Sequence, residues 1–109
     1  MVHLEQIIDF CMKFPGATQD FPFDQDTMVF RVQGKIFALV NTRWWYEGKQ
    51  WVNVKCQPEQ ALVLREKYDS IIPGYHMSKK HWNTLVVHEE ELSLDQICDY
   101  ITHSYDLVS

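Results

Sequence analysis

Long apolar runs are missing from this sequence: no stretch approaches the ~20 residues that a bilayer-spanning helix needs. A basic, uninterrupted apolar start is missing too. The opening MVHLEQIIDFCMKF carries Glu5 and Asp9 among its apolar residues, so no secretory leader is expected. Cysteine is scarce, with three residues, Cys11, Cys56 and Cys98, far apart and in no C-x-x-C pair. That spacing indicates neither a disulfide framework nor a thiolate zinc site, and it points to free, buried thiols in a reducing cytoplasm. There is no GxSxG elbow, no phosphate-binding glycine loop, no internal repeat and no low-complexity tract. Lysine and arginine are absent after residue 80.

What is present is enough for one domain spanning residues 1–109, with a single core. Hydrophobic residues make up 46% and charged residues 23%, a balance that folds. The formal net charge of −5 argues against a generic nucleic-acid binder, yet the charge is segregated. Residues 1–26 hold one lysine against five acidic residues. Residues 27–80 hold nine Lys/Arg against four acids, and residues 81–109 hold six acids alone. Charges beyond about a Debye length (~8–10 Å) are screened, so a basic central face is compatible with an acidic total.

Periodicity gives the elements. Leu4, Ile7, Ile8 and Cys11 form a helical stripe that ends before Pro15-Gly16. In TMVFRVQGKIFALVN, Met28, Phe30 and Val32 alternate with Val29, Arg31 and Gln33, and a tight turn near Gly34 returns the chain as a β-hairpin. TRWWYEGK reads as a longer loop or a twisted hairpin end. QWVNVKC is a third strand, with Val52, Val54 and Cys56 on one face. Pro58 opens a helix running to about Asp69, with Ala61, Leu64 and Tyr68 on one side. SIIPGY reads as a turn and NTLVVH as a fourth strand. Ser93 and Gln96 form a capping box for a last helix that buries Leu94, Ile97, Cys98, Ile101 and Tyr105. The order α-β-β-β-α-β-α predicts an α+β two-layer sandwich, an antiparallel sheet with helices on one face.

Chemistry is sparse. His76 and His81 are five apart, a spacing that suits neither a helical nor a strand pair of metal ligands, so no metal is expected. HEEE, residues 88–91, reads as a solvated loop, and HSYD, residues 103–106, points its side chains in different directions along a helix. No enzyme and no cofactor are expected. Two segments suit a polyanion. TRWWYEGK interleaves Arg43 and Lys49 with Trp44, Trp45 and Tyr46, and SKKHW brings Lys79, Lys80 and His81. Loop aromatics stack on bases, and a turn led by Ser78 offers backbone N–H groups to phosphate. In GYHMSKKHWNT, Pro73 and Gly74 set the bend, Ser78 caps a helical turn, and Tyr75 and Trp82 pack inward.

The blocks FPGATQDFPF, VFRVQGKIFALV, VKCQPEQALVLREKY, IIPGYHMSKKHWNT and HSYDLV, in this order, resemble the bacterial MmcQ/YjbR family. The resemblance runs through almost the whole chain. It implies a fold like bacterial frataxin (CyaY) and a DNA-binding role through a double-wing arrangement of hairpins, with no enzymatic activity. The family pattern maps onto Lys55, Tyr75, His76, Lys79, Lys80, His81 and Trp82. At TRWWYEGK this chain is more aromatic than the family, so a role for Trp44 and Trp45 rests on the residues alone. Frataxins bind iron on an acidic first helix; here that helix has only Glu5 and Asp9, and iron binding is not carried over.

The expectation is therefore a DNA-binding protein gripping the phosphate backbone through Arg43, Trp44, Trp45, Lys49, Lys55, His76, Lys79, Lys80 and His81, with residues 43–49 as one wing and the turn at 33–35 as the other. The alternative is a protein-interaction module, such as a weak homodimer through the Trp44/Trp45 loop, or a small-ligand site at the Tyr75-His76-Lys79 turn. No membrane partner is expected.

Overall fold

A computed structural model describes residues 1–109. The first apolar stripe forms α1 (Leu4–Met12), which buries Leu4, Ile7 and Cys11. After Gly16, whose φ of +75° suits a residue without Cβ, the chain enters β1 (Ala17–Asp20). No local pattern in the sequence marks this strand. Only Ala17 is partly covered, so no apolar alternation marks it, and its place is set by pairing Ala17–Asp20 against Val32–Val29. An ion pair from Arg31 Nε to Asp20 Oδ1 at 3.1 Å fastens this edge.

The hairpin of β2 (Thr27–Val32) and β3 (Lys35–Asn41) turns at Gln33 and Gly34, with φ of 52° and 78°. Positive φ at both central residues gives the twist that flanking strands require. A bulge shifts the register beside Phe30, and the buried Phe37 is the extra residue. TRWWY is not a loop but a short helix, α2 (Thr42–Tyr46). Asn41 caps it by accepting the Trp44 N–H at 2.9 Å. β4 (Trp51–Lys55), α3 (Pro58–Lys67), β5 (Ile71–Pro73), β6 (Trp82–Val86), a 3₁₀ turn (Val87–Glu89) and α4 (Leu94–Val108) follow. β5 lies in the stretch expected to be only a turn. Three residues ending in proline are too short to show a period.

The six strands form one antiparallel sheet in the order β1-β2-β3-β4-β6-β5. Ala38 and Val40 face the same way as Val54 and Val52, and Leu85 joins them. With residues of α1, α3 and α4 they form one contiguous core. The Ser104 hydroxyl fixes α4 to the sheet, accepting the Lys55 N–H at 2.8 Å and donating to the Phe37 carbonyl at 2.6 Å. Alternation sends Val29, Leu39, Trp51, Asn53 and Thr84 to the opposite face, which carries no long helix. Val29 and Leu39 are nevertheless buried and stand outside that core. No helix is long and apolar enough to cross a membrane.

Candidate functional site

On this open face the strand pattern and three loops make a pocket of about 480 Å³. β4 contributes Trp51 and Asn53, because its alternation commits Val52 and Val54 to the core. The cap at Asn41 sets the direction of α2, and Trp44 enters from it. Tyr75 and His76 come from the β5–β6 loop, with the Tyr75 N–H donating to Thr84 Oγ1 at 3.1 Å. The Thr84 hydroxyl in turn donates to Asn53 Oδ1. Phe23, Leu39 and Met77 add apolar wall.

Three rings meet edge to face. Centroids lie 6.3 Å apart for Trp44–Trp51, 5.6 Å for Trp44–Tyr75 and 5.3 Å for Trp51–Tyr75. The Lys49 ammonium sits 4.6 Å from the Trp44 and Trp51 centroids and 5.8 Å from Tyr75. This is an aromatic cage filled by the chain's own cation. The Trp51 indole Nε1 is shut off from solvent and has no hydrogen-bond partner. Beside it, His76 holds a φ of 57°, and its ring lies 4.0 Å from that of Tyr75. The left-handed region costs a residue with a Cβ about 1–2 kcal/mol, and such strain gathers where geometry serves a ligand.

Asp24 is the one carboxylate on the lining. Its Oδ1 accepts the N–H groups of Asp26 and Thr27 at 2.8 and 2.7 Å, and its Oδ2 accepts the Thr27 hydroxyl at 3.1 Å. Those donors, chiefly the Asp26 N–H, hold its carboxyl below the ordinary carboxylate value. Thiols stay out of the site. Burial pushes Cys11 up to about 12 and raises Cys56 and Cys98.

The nine candidates divide. Trp44, Lys49 and His76 meet at the pocket. Lys55, Lys79, Lys80 and His81 gather where β4 ends and β6 begins: Lys55 pairs with Trp82, and the Cys56 N–H donates to the His81 carbonyl at 2.7 Å. Two stand apart. Arg43 is ion-paired with Glu47 at 3.3 Å and Asp26 at 3.9 Å. Trp45 is 4% exposed and belongs to the core, so it presents nothing to a ligand. Lys79 turns back, donating from Nζ to the Gly74 carbonyl at 2.9 Å. The segments expected to form two wings are a helix and a turn at opposite ends of β3, about 20 Å apart at the strand rise of ~3.3 Å per residue.

In the 74–82 stretch the Ser78 carbonyl, not its hydroxyl, closes the turn, accepting from the N–H groups of His81 and Trp82. Tyr75 does not pack inward; it is 38% exposed on the open face. Arg65, unremarked in the sequence, pins this loop to α3. Its guanidinium donates to Asn83 Oδ1 at 2.7 Å and to the carbonyls of Lys79 and Trp82. Trp51 and Asn53 escaped notice as site residues. The alternation of β4 places them opposite the core, but it does not say what faces them.

Fold and site together define a small α+β protein with an antiparallel sheet, helices on one face and an aromatic pocket on the other. The chain belongs to the YjbR family, whose pattern residues 12–107 match. It is 37% identical over 97 residues to the uncharacterized protein YbdF of Escherichia coli O157:H7, covering 89% of this chain and 76% of that one. It is 29% identical over 102 residues to the uncharacterized protein YjbR of Escherichia coli K12, covering 94% and 83%. A crystal structure of a Deinococcus radiodurans protein superposes with a TM-score of 0.88 at 29% identity, over 99% of this chain and 79% of that one. One from Pseudomonas syringae does so at 0.81 and 28%, over 99% and 100%.

Proposed function

We propose that this protein is a binding module whose small-molecule ligand seats in the open-face pocket. One observation carries the reading: a cavity of about 480 Å³ walled by Trp44, Trp51 and Tyr75, with a lysine ammonium held over the rings. That volume lies within the ~300–1,000 Å³ of small-ligand sites, which pair apolar walls with a few convergent polar groups. The strained His76 and the unpartnered Trp51 N–H support it. A cytoplasmic setting is part of the same reading, supported by three unpaired cysteines.

The test is a thermal-shift panel of small metabolites of every charge class. A true ligand at about 100 times its Kd adds about 2.7 kcal/mol and raises the melting temperature by roughly 10 °C. Trp51→Ala abolishes that response. A panel that leaves the melting temperature unmoved in all classes sinks the reading.

A second reading, contact with DNA, is favoured by a narrower observation. Lys55, Lys79, Lys80 and His81 lie at one end of the β4–β6 ladder, and none of the three lysines is ion-paired. It replaces the broad central face with this cluster.

A further inference from the structure

We infer that the pocket takes a small organic anion, its carboxylate or phosphate oxygens seated on the Lys49 ammonium and its apolar body against Trp44, Trp51 and Tyr75. The inference rests on the pocket reading above and names its ligand class.

The cage itself argues first. Three electron-rich ring faces attract a cation, and here that place is taken. Lys49 lies within 4.6 Å of two ring centroids, so a ligand that brought a second ammonium would meet a like charge. Lys49 is also uncompensated. The ion pairs of the chain are Arg31–Asp20, Arg43–Asp26 and Arg43–Glu47, and Lys49 joins none. The rings orient its ammonium without consuming a donor.

The hydrogen-bond inventory points the same way. The side-chain acceptors on the lining are already engaged: both Asp24 oxygens by Asp26 and Thr27, Asn41 Oδ1 by the Trp44 N–H, and Asn53 Oδ1 by the Thr84 hydroxyl. The donors are not. The Asn53 amide, committed through its oxygen, keeps its NH₂, and the Lys49 ammonium, held over the rings, keeps its N–H groups. The Tyr75 hydroxyl and the His76 ring serve either way. A ligand fits this surface by bringing acceptors, and charged acceptors suit Lys49 best. Phe23, Leu39 and Met77 then cover an apolar body.

Titration calorimetry, with tryptophan fluorescence as a second readout, tests it on the full chain. The probes are benzoate, phenyl phosphate, the neutral isostere benzamide, and the cation benzyltrimethylammonium. At least one anion is expected to bind about tenfold or more tighter than benzamide, the loss that follows when a charged hydrogen-bond partner is absent. The tighter anion identifies the head group. Lys49→Met removes the preference and Lys49→Arg restores most of it. Lys49 is exposed, so both variants keep the fold, which circular dichroism checks. Benzamide or the ammonium binding as tightly as the anions overturns the inference and leaves the pocket reading standing. Anion binding unchanged in Lys49→Met does the same. Silence from all four probes overturns both.

Discussion

Single side chains in this protein take roles that their chemistry alone does not fix. Lys49 and Lys79 are both lysines in polar segments; one ends over three aromatic rings, the other on a backbone carbonyl. Arg43 and Arg65 part in the same way, one paired with carboxylates at the surface and one holding a loop. Cys11 is the residue whose behaviour follows most directly from its place. Burial raises its pKa from the ordinary 9.0 to about 12, because the thiolate loses its hydration. A folded pKa above the unfolded one adds stability below pH 9, and that contribution fades as the pH climbs toward 12. Native protein treated with iodoacetamide at pH ~8, near the ordinary thiol pKa, is therefore expected to leave Cys11 unmodified, while urea exposes it. Peptide mass spectrometry reads the result. Native labelling at the unfolded rate would contradict the buried position.

Among the elements, the legible ones carry strong local signals. α1 and α4 have apolar stripes, and α4 has its capping box; β2, β3 and β4 alternate. The elements that went unread have little local signal. β1 is polar on three of its four positions, β5 is three residues long, and α2 is five residues long and held by one cap. Each gains its stability from a neighbour distant in sequence, which periodicity cannot register. The β5–β6 loop shows how tightly such an element is fitted. A Cβ on Gly74 would lie 2.7 Å from Trp82 Cβ and 3.0 Å from its carbonyl oxygen. Gly74 also donates its N–H to that carbonyl at 2.9 Å. Gly74→Ala is expected to cost about 1–3 kcal/mol, read as a lower urea midpoint. It should also weaken the pocket response, since Tyr75 and His76 follow it directly. An unchanged midpoint would mean that the hairpin yields more easily than its packing indicates.

Across the whole molecule, the cations of residues 27–80 are put to several uses. Arg31 and Arg43 enter ion pairs, Lys49 fills the cage, Arg65 anchors a loop, and Lys55, Lys79 and Lys80 lie at the end of β4 and β6. If that cluster meets DNA, fluorescence anisotropy on a labelled duplex should give weak binding at low salt. Its affinity should fall with a log–log salt slope of about −0.9 per phosphate contacted. Lys55→Glu with Lys80→Glu should abolish it while the pocket titration stays as it was. No anisotropy change at tens of micromolar in low salt ends the DNA reading and leaves the pocket untouched.

By itself the sequence determined the α+β class, the principal helices and strands, and the buried stripes, because each depends on residue type repeated at a local period; its ordered motif blocks determined the family. The signature GYHMSKKHWNT marked the right loop without revealing what its residues face. Only tertiary structure decided the site. Phe23, Trp44, Lys49, Trp51 and Tyr75 lie on separate segments, and strand pairing of β4 with β6 and β6 with β5 brings the last of them across to the others. A cation is drawn to a ring by distance in space, and that distance is a property of the folded sheet.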